Sequence, residues 1–403
     1  MILVIAEKPS VAQSIAKVLG ATSRKDGYME GGNYIVSWCF GHLVELADAS
    51  SYDERYAKWR YDDLPIVPES WMFEVTKDKA QQFKVLSSLM KDKRVTELVC
   101  ATDAGREGEL IFRLVYNKAG CTKPFKRLWI SSLEDSAIRE GFNHLRDSKE
   151  YDRLYEAALS RSKADWIVGI NGPRLFTTLY HKKLVVGRVQ TPTLAMLVER
   201  DGKISTFQKE KYFNVHVGKG DLTADLEKVK TEEEAKRIAA ACEKKQAVVS
   251  SLKRETKTVN PPKLYDLTTL QREANRYYGF TAQQTLDLVQ TLYEKKLLTY
   301  PRTDSQFITD DMEDTARQVI SIVCRQFPLF SGVLVTPDIA RVTDNSNVTD
   351  HHAILPTVQL EKQDVSALPQ SEQKILNLVG MRLLCATGEK HTYAETQISL
   401  SCE

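Results

Sequence analysis

The segment Leu298-Thr299-Tyr300-Pro301-Arg302-Thr303-Asp304-Ser305 places a phenol two residues before a guanidinium. A phenol is a poor nucleophile at neutral pH, because its pKa is about 10. It becomes useful where a nearby cation stabilises the phenolate and the target is a phosphodiester. Arg302 is such a cation, and a forked guanidinium also grips phosphate. Locally, the segment reads more readily as an aromatic packed at a turn. A second chemistry lies in the acids. Glu7 follows the apolar run Ile2-Leu3-Val4-Ile5-Ala6, and Asp103, Glu107 and Glu109 lie in Ala101-Thr102-Asp103-Ala104-Gly105-Arg106-Glu107-Gly108-Glu109. Carboxylates gathered at the carboxyl ends of parallel strands suit Mg²⁺, which takes one or two of them and pairs with phosphate. Singly, Asp103 reads as a helix cap, and Glu107 and Glu109 as favourable charges in a first helical turn. Glu7 has no such structural duty. Lys8, beside it, reads as a surface lysine or as a group reaching a phosphate.

Alternating strands and helices must position these groups. Residues 2–6, 35–40, 98–101 and 128–130 read as strands. The first strand leads through Pro9, with Ser10 and Gln13 at capping-box spacing, into a helix stopped by Gly20. Helices are also expected around 110–115 and over 132–145, which indicates a mostly parallel sheet. Residues 151–205 read as helical, interrupted by Pro173 and Pro192. Strands at 214–217 and 247–250 flank a charged helix over 232–245, and Asn260-Pro261-Pro262 reads as a linker. Helices follow at 267–278, 284–296, 311–327 and 373–386, with a polar loop at 345–350. The alternation of Glu395 to Glu403 reads as a strand.

The 403 residues allow two to four domains. Hydrophobic content of 42% and charged content of 27% fit an ordinary globular chain. The apolar start is too short for a signal peptide and runs into Glu7 and Lys8, so a cytoplasmic location without membrane contact is expected. The seven cysteines form no CxxC pair, which excludes a zinc ribbon. Net charge is only +2. Between Arg161 and Lys203, however, eight Lys/Arg stand against three acids, as on a phosphate-facing or simply a solvated surface.

The segment Ile5-Ala6-Glu7-Lys8-Pro9-Ser10, together with that running from Ala101 to Glu109, resembles the Toprim domain of topoisomerases and primases. Gly187-Arg188-Val189-Gln190-Thr191-Pro192-Thr193-Leu194, Leu264-Tyr265-Asp266-Leu267-Thr268-Thr269-Leu270-Gln271, the Tyr300 segment and Asp350-His351-His352-Ala353-Ile354-Leu355-Pro356-Thr357 extend the likeness. In this order the set resembles the type IA DNA topoisomerases, most closely their bacterial topoisomerase III branch. The resemblance implies a multidomain α/β plus α fold. Its expected parts are a Toprim metal-binding domain over 1–150, part of a helical single-strand-binding domain over 151–210 and the first part of a β-rich arch over 211–258. An active-site tyrosine domain over 259–360 follows, and 361–403 begins the return into the arch.

The resemblance also implies roles. Tyr300 is the nucleophile that forms a 5′-phosphotyrosine, and Arg302 stabilises the scissile phosphate. Lys8 contacts the phosphate, Glu7 assists proton transfer to the leaving 3′-oxygen, and His351 belongs to the surroundings, with His352 less clearly placed. Mg²⁺ is expected on Glu7, Asp103 and Glu107. Single-stranded DNA is expected along Arg161, Asn171, Arg174, Arg188 and Gln190. The expected activity is ATP-independent relaxation of negatively supercoiled DNA and decatenation by a monomer. Two departures stand out. Many members carry Asp-x-Asp-x-Glu where this chain has Asp103, Gly105 and Glu107, so a central ligand is missing, with Glu109 as a substitute. The sequence also stops as the arch return begins, which reads as a fragment or a natural truncation. Two rivals remain: a single-strand DNA-binding module without completed catalysis, and a Toprim nuclease or primase-like enzyme using only 1–150.

Overall fold

In the computed structural model, residues 1–327, 336–348 and 351–402 are described. Asp350 of the last motif, the end of the 345–350 loop and Glu403 lie outside the described residues. The chain is multidomain α/β plus α, and it forms two compact units. One comprises Met1–Arg188 with Pro262–Gly388, the other Val189–Pro261 with Glu389–Glu403.

The first unit is built on a seven-stranded sheet. Its strands are β1 (Ile2–Ala6), β2 (Ser23–Lys25), β3 (Tyr28–Gly31), β4 (Tyr34–Trp38), β7 (Glu97–Ala101), β8 (Phe125–Arg127) and β9 (Arg146–Asp147), in the order β2-β3-β4-β1-β7-β8-β9. A separate pair, β5 (Val44–Leu46) and β6 (Phe73–Val75), lies between them in sequence. β1 runs parallel to both β4 and β7. Leu3, Val4, Ile5 and Ala6 are fully buried, which is why this strand reads as unbroken apolar sequence. Helices α1 (Pro9–Leu19), α2 (Ala49–Tyr52), α3 (Ala80–Lys91), α4 (Arg106–Lys118), α5 (Asp135–Asn143) and α6 (Asp152–Tyr180) complete this part.

The rest of the unit is helical: α9 (Leu267–Tyr278), α10 (Ala282–Glu294), α11 (Glu313–Gln326) and α12 (Gln370–Thr387). These helices share a core that includes Leu270, Val289, Leu292, Ile320, Val323, Leu376 and Leu383. Tyr293 and Tyr300 belong instead to the core of the sheet, with Val4, Ala6, Val99 and Leu128.

The second unit holds α7 (Gln190–Ser205), a hairpin of β10 (Phe213–Lys219) and β11 (Leu222–Val229), and α8 (Glu232–Cys242). A long antiparallel ribbon joins β12 (Ala247–Val259) to β13 (His391–Cys402) across most of their lengths.

Three local expectations fail, and one strand was not expected. α1 starts after Lys8 with no side-chain cap, so Ser10 and Gln13 form no capping box; Pro9 supplies the preset first position instead. Leu128-Trp129-Ile130 is not a strand, because the β-ladder ends at Arg127. α5 crosses it there, and Gly141 permits the approach: a Cβ at Gly141 would fall 2.6 Å from Ile130 and 2.7 Å from Leu128. Pro173 lies inside α6, which continues to Tyr180 at the cost of one backbone hydrogen bond. β11 was not among the expected strands, although Leu222, Ala224 and Leu226 alternate with polar residues; Leu222 and Leu226 are exposed, and only Val229 of the strand is buried.

Candidate active site

Sheet register begins the site. Ala6 lies opposite Ala101 on neighbouring parallel strands. Glu7 and Asp103 therefore emerge side by side, and the Asp103 N–H donates to Glu7 Oε2 at 3.2 Å. Glu7 is 7% exposed. Burial first, then the neighbouring Asp103, raises its carboxyl to about 7. Burial also raises the Asp103 carboxyl.

The loop carrying Asp103 is fixed from below by residues that sequence reasoning missed. Arg127, at the end of β8, is fully buried. Its guanidinium donates to the carbonyls of Cys100 (3.0 Å), Thr102 (2.7 Å), Asp103 (2.6 Å) and Leu128 (2.9 Å). It also lies 3.1 Å from Glu109 Oε2. The other Glu109 oxygen accepts from Arg113 Nε at 2.7 Å. Glu109 is thus a fully buried structural carboxylate and faces away from the role of substitute ligand. Gly108 lets the loop lie on α4, because a Cβ there would fall 2.0 Å from the Asp103 carbonyl oxygen. The signal for Arg127 was a cation among apolar strand neighbours, which rarely survives without partners.

Tyr300 arrives on the segment after α10. Its N–H donates to the Ser131 carbonyl at 3.1 Å, and its hydroxyl donates to Asp103 Oδ2 at 2.9 Å. Tyr293 meets the ring edge-on at 5.4 Å between centroids, and His351 covers it at 4.3 Å. Burial, then the Asp103 and Glu7 charges, raise the phenol far above its ordinary value. Burial lowers the His351 imidazole to about 4, so the ring is neutral at pH 7. Its Nδ1 lies 3.0 Å from Ser131 Oγ.

An open cleft of about 740 Å³ lies against these groups and is lined by Glu7, Lys8, His42, Glu107, Glu294 and Arg302. Arg302 is exposed and makes no ion pair among the described residues. It is near enough to favour the charged forms of Glu7 and Asp103. Lys8 Nζ is 3.7 Å from Glu294 Oε1. Glu107 faces the cleft, but its oxygens pair with Arg161 at 2.5 Å and His42 at 3.8 Å. The structure therefore brings Glu7, Asp103, Tyr300 and His351 together, with Lys8 and Arg302 at the rim. Glu107 is not gathered with Glu7 and Asp103. Among the described residues, no three acid, His or Cys side chains converge as a metal site would need.

Residues 149–403 match the DNA topoisomerase family, and residues 2–133 match the Toprim domain. The chain belongs to the DNA topoisomerase family. The proteins named DNA topoisomerase 3 of Bacillus licheniformis and Staphylococcus haemolyticus are each 41% identical to it. Those alignments cover 98% and 99% of this chain, but 56% and 57% of the relatives. The chain thus spans little more than half the length of the curated relatives it matches. Full-length topoisomerase I of Thermotoga maritima superposes with a TM-score of 0.72 at 25% identity, over 99% of this chain and 63% of that one. The Tyr300–Asp103 hydrogen bond joins the two matched segments.

Toprim is a metal-binding domain, and the Glu7–Asp103 pair of this family member suits a hard cation. Glu7 and Asp103 are oxygen donors in contact, with no basic side chain bonded to either carboxylate among the described residues. Two carboxylates and water are a common Mg²⁺ complement. A Cβ at Gly105 would meet nothing within 4 Å, so the absent acid leaves open space rather than a packed substitute.

The expected DNA-track residues divide. Arg161 and Arg188 both pair with Asp165, at 3.8 and 2.5 Å. Asn171 clamps the Ile66 peptide, accepting its N–H at 2.6 Å and donating to its carbonyl at 2.8 Å. Arg174 is 5% exposed, donates to the Tyr56 carbonyl at 2.7 Å and lies on Trp59. Asn171 and Arg174 therefore hold the 54–66 segment in place and do not offer their polar ends to solvent. Gln190 is exposed in the second unit.

Proposed function

We propose that this chain carries the cleavage and religation chemistry of a type IA DNA topoisomerase, using Mg²⁺ and no ATP. The observation that carries the reading is the Tyr300 hydroxyl donating to Asp103 Oδ2 at 2.9 Å beside Glu7. Tyr300 Oη attacks a phosphorus of single-stranded DNA and passes its proton to Asp103 Oδ2. The new O–P bond replaces the P–O3′ bond, leaving a 5′-phosphotyrosine. The departing 3′-oxygen takes a proton from Glu7, whose carboxyl, raised to about 7, is matched to that task at neutral pH. Reversal of these transfers reseals the strand, since the phosphotyrosine conserves the bond energy.

Arg302 and Lys8 supply positive charge to the phosphate. Lys8 must exchange its 3.7 Å contact with Glu294 for that role. His351, held neutral against Tyr300, offers a ring nitrogen to the same group. Asp103, with Glu7 when it is deprotonated, would hold Mg²⁺, and Glu107 would join only by leaving Arg161 and His42. Bound there, the ion supplies charge stabilisation for phosphate and phenolate oxygens. Arg161 and Arg188 provide a basic track for the strand. In the whole protein this chemistry serves strand passage, relaxation of negative supercoils and decatenation.

Covalent trapping tests the reading. The folded chain is incubated with Mg²⁺ and end-labelled single-stranded DNA, then denatured. A labelled protein adduct that disappears in Tyr300→Phe is expected. No adduct, with DNA binding retained, leaves a binding module. Cleavage that survives Tyr300→Phe points instead to a nuclease confined to the N-terminal sheet.

A further inference from the structure

Ser131 touches both partners of the candidate site that come from outside the sheet. Its carbonyl accepts the Tyr300 N–H at 3.1 Å, and its hydroxyl lies 3.0 Å from His351 Nδ1. It can do so because residues 128–130 leave the ladder after Arg127, which frees this stretch from strand pairing. The other imidazole nitrogen, His351 Nε2, is buried and makes no well-formed hydrogen bond, although the Ala104 carbonyl faces the ring. His351 itself is 4% exposed. Nearly every buried polar group in a folded protein is well paired, so a nitrogen left without a well-formed bond beside the Tyr300 ring is open to a better acceptor.

A neutral imidazole carries one N–H, and the bond made by one nitrogen decides the state of the other. If Nδ1 donates to Ser131 Oγ, Nε2 is left as a lone pair, which repels phosphate. If Ser131 Oγ–H donates to Nδ1, the proton sits on Nε2 and can be given to a phosphate oxygen. Burial keeps the ring neutral, so His351 does not simply hold both protons.

We propose that Ser131 is a positioning residue: its hydroxyl fixes the Nε2–H tautomer of His351, making that ring a neutral donor to the scissile phosphate. The inference rests on the phosphotransfer reading for its consequence, while the tautomer itself can be observed without DNA. Ser131→Ala removes the hydroxyl and keeps the carbonyl that binds the Tyr300 backbone. Ser131→Thr keeps both.

The test uses the folded chain with ¹⁵N-labelled histidine, assigning His351 by its loss in His351→Gln. Long-range ¹H–¹⁵N correlation should give the Nε2–H pattern for His351 in the wild type and in Ser131→Thr. Ser131→Ala should give a mixed or Nδ1–H pattern. In the trapping assay, Ser131→Ala should lower the rate of adduct formation roughly three- to tenfold, the worth of one ordinary hydrogen bond, and Ser131→Thr should restore it. An Nδ1–H wild-type ring, or a pattern unchanged in Ser131→Ala, overturns the proposal. A changed tautomer with no adduct from any variant, wild type included, removes the phosphotransfer reading and leaves the assignment of the tautomer standing.

Discussion

Two acid sites lie on either side of the same loop, and they are built in opposite ways. Below it, Glu109 is fully buried with a guanidinium on each oxygen, from Arg113 and Arg127. Above it, Glu7 and Asp103 contact each other, and both carboxyls are pushed upward. Both sites share the Asp103 backbone. The lower one neutralises its charge with protein cations and fixes the loop. The upper one faces a cleft and the Tyr300 hydroxyl. A carboxylate in an acidic run is thus not a ligand by virtue of its position: neighbouring residues sort Glu109 into scaffold and Asp103 into chemistry.

The contrast can be broken most severely from below. Arg127→Met leaves Glu109 short of a partner and four carbonyls without their donor. Loss of about 3–5 kcal/mol is expected, the cost of breaking a buried pair. Urea denaturation measures it; a loss under about 1 kcal/mol would mean the pair is not holding the loop.

Gly108→Ala comes next. A Cβ placed 2.0 Å from the Asp103 carbonyl oxygen forces the loop away from α4. Overpacking of this kind costs about 1–3 kcal/mol. Trapping with DNA should fall more than stability does, since the displaced residue is the one that binds Tyr300.

The upper site should show the opposite sign. Glu7 has a folded-state value of about 7, above its unfolded value. Its favourable contribution is fully present below the unfolded pKa and is lost as pH rises through the folded one. In EDTA, the unfolding free energy should therefore decline between about pH 5 and about pH 8. Glu7→Gln should remove most of that slope and stabilise the chain at the upper end by roughly 1–3 kcal/mol while abolishing trapping. Any decline left in the mutant belongs to Asp103, whose carboxyl is also raised; a decline as steep as the wild type's would show that Glu7 is not a titrating group.

The smallest effect on stability is expected at Gly105. Its backbone is extended at φ 166°, and the open space around it accepts an aspartate side chain. Gly105→Asp should change stability by no more than about 0.5 kcal/mol, as at an ordinary surface position. It should lower the Mg²⁺ concentration needed for trapping. An unchanged Mg²⁺ requirement would exclude Gly105 as the place of a missing ligand.

Much of this arrangement was legible because it follows from local chemistry. Five apolar residues before Glu7 mark a strand buried on both faces, and the first acid beyond such a strand has no core to enter. The helix expected over 267–278 is observed as Leu267–Tyr278, with Asp266 as its N-cap and Gly279 in the left-handed region. The approach of Tyr300 to Asp103 across 197 positions came only from the order of motifs, since no local pattern encodes it. The inward turn of Arg127, Asn171 and Arg174 was hidden for the same reason. A cation's or amide's partner is a carbonyl from a distant segment, and carbonyls have no sequence signature. Arg174 and Asn171 thus read as a basic track, although their polar ends are engaged by Tyr56 and Ile66.

Cation binding by the chain without DNA tests the contrast most directly. Mn²⁺, used as a spectroscopic substitute for Mg²⁺, is titrated into the purified protein and followed by the loss of its free electron paramagnetic resonance signal. Wild type and Tyr300→Phe should bind the ion at the Glu7–Asp103 pair, and Asp103→Asn should lose that binding while remaining folded. Unchanged affinity and stoichiometry in Asp103→Asn would contradict the account.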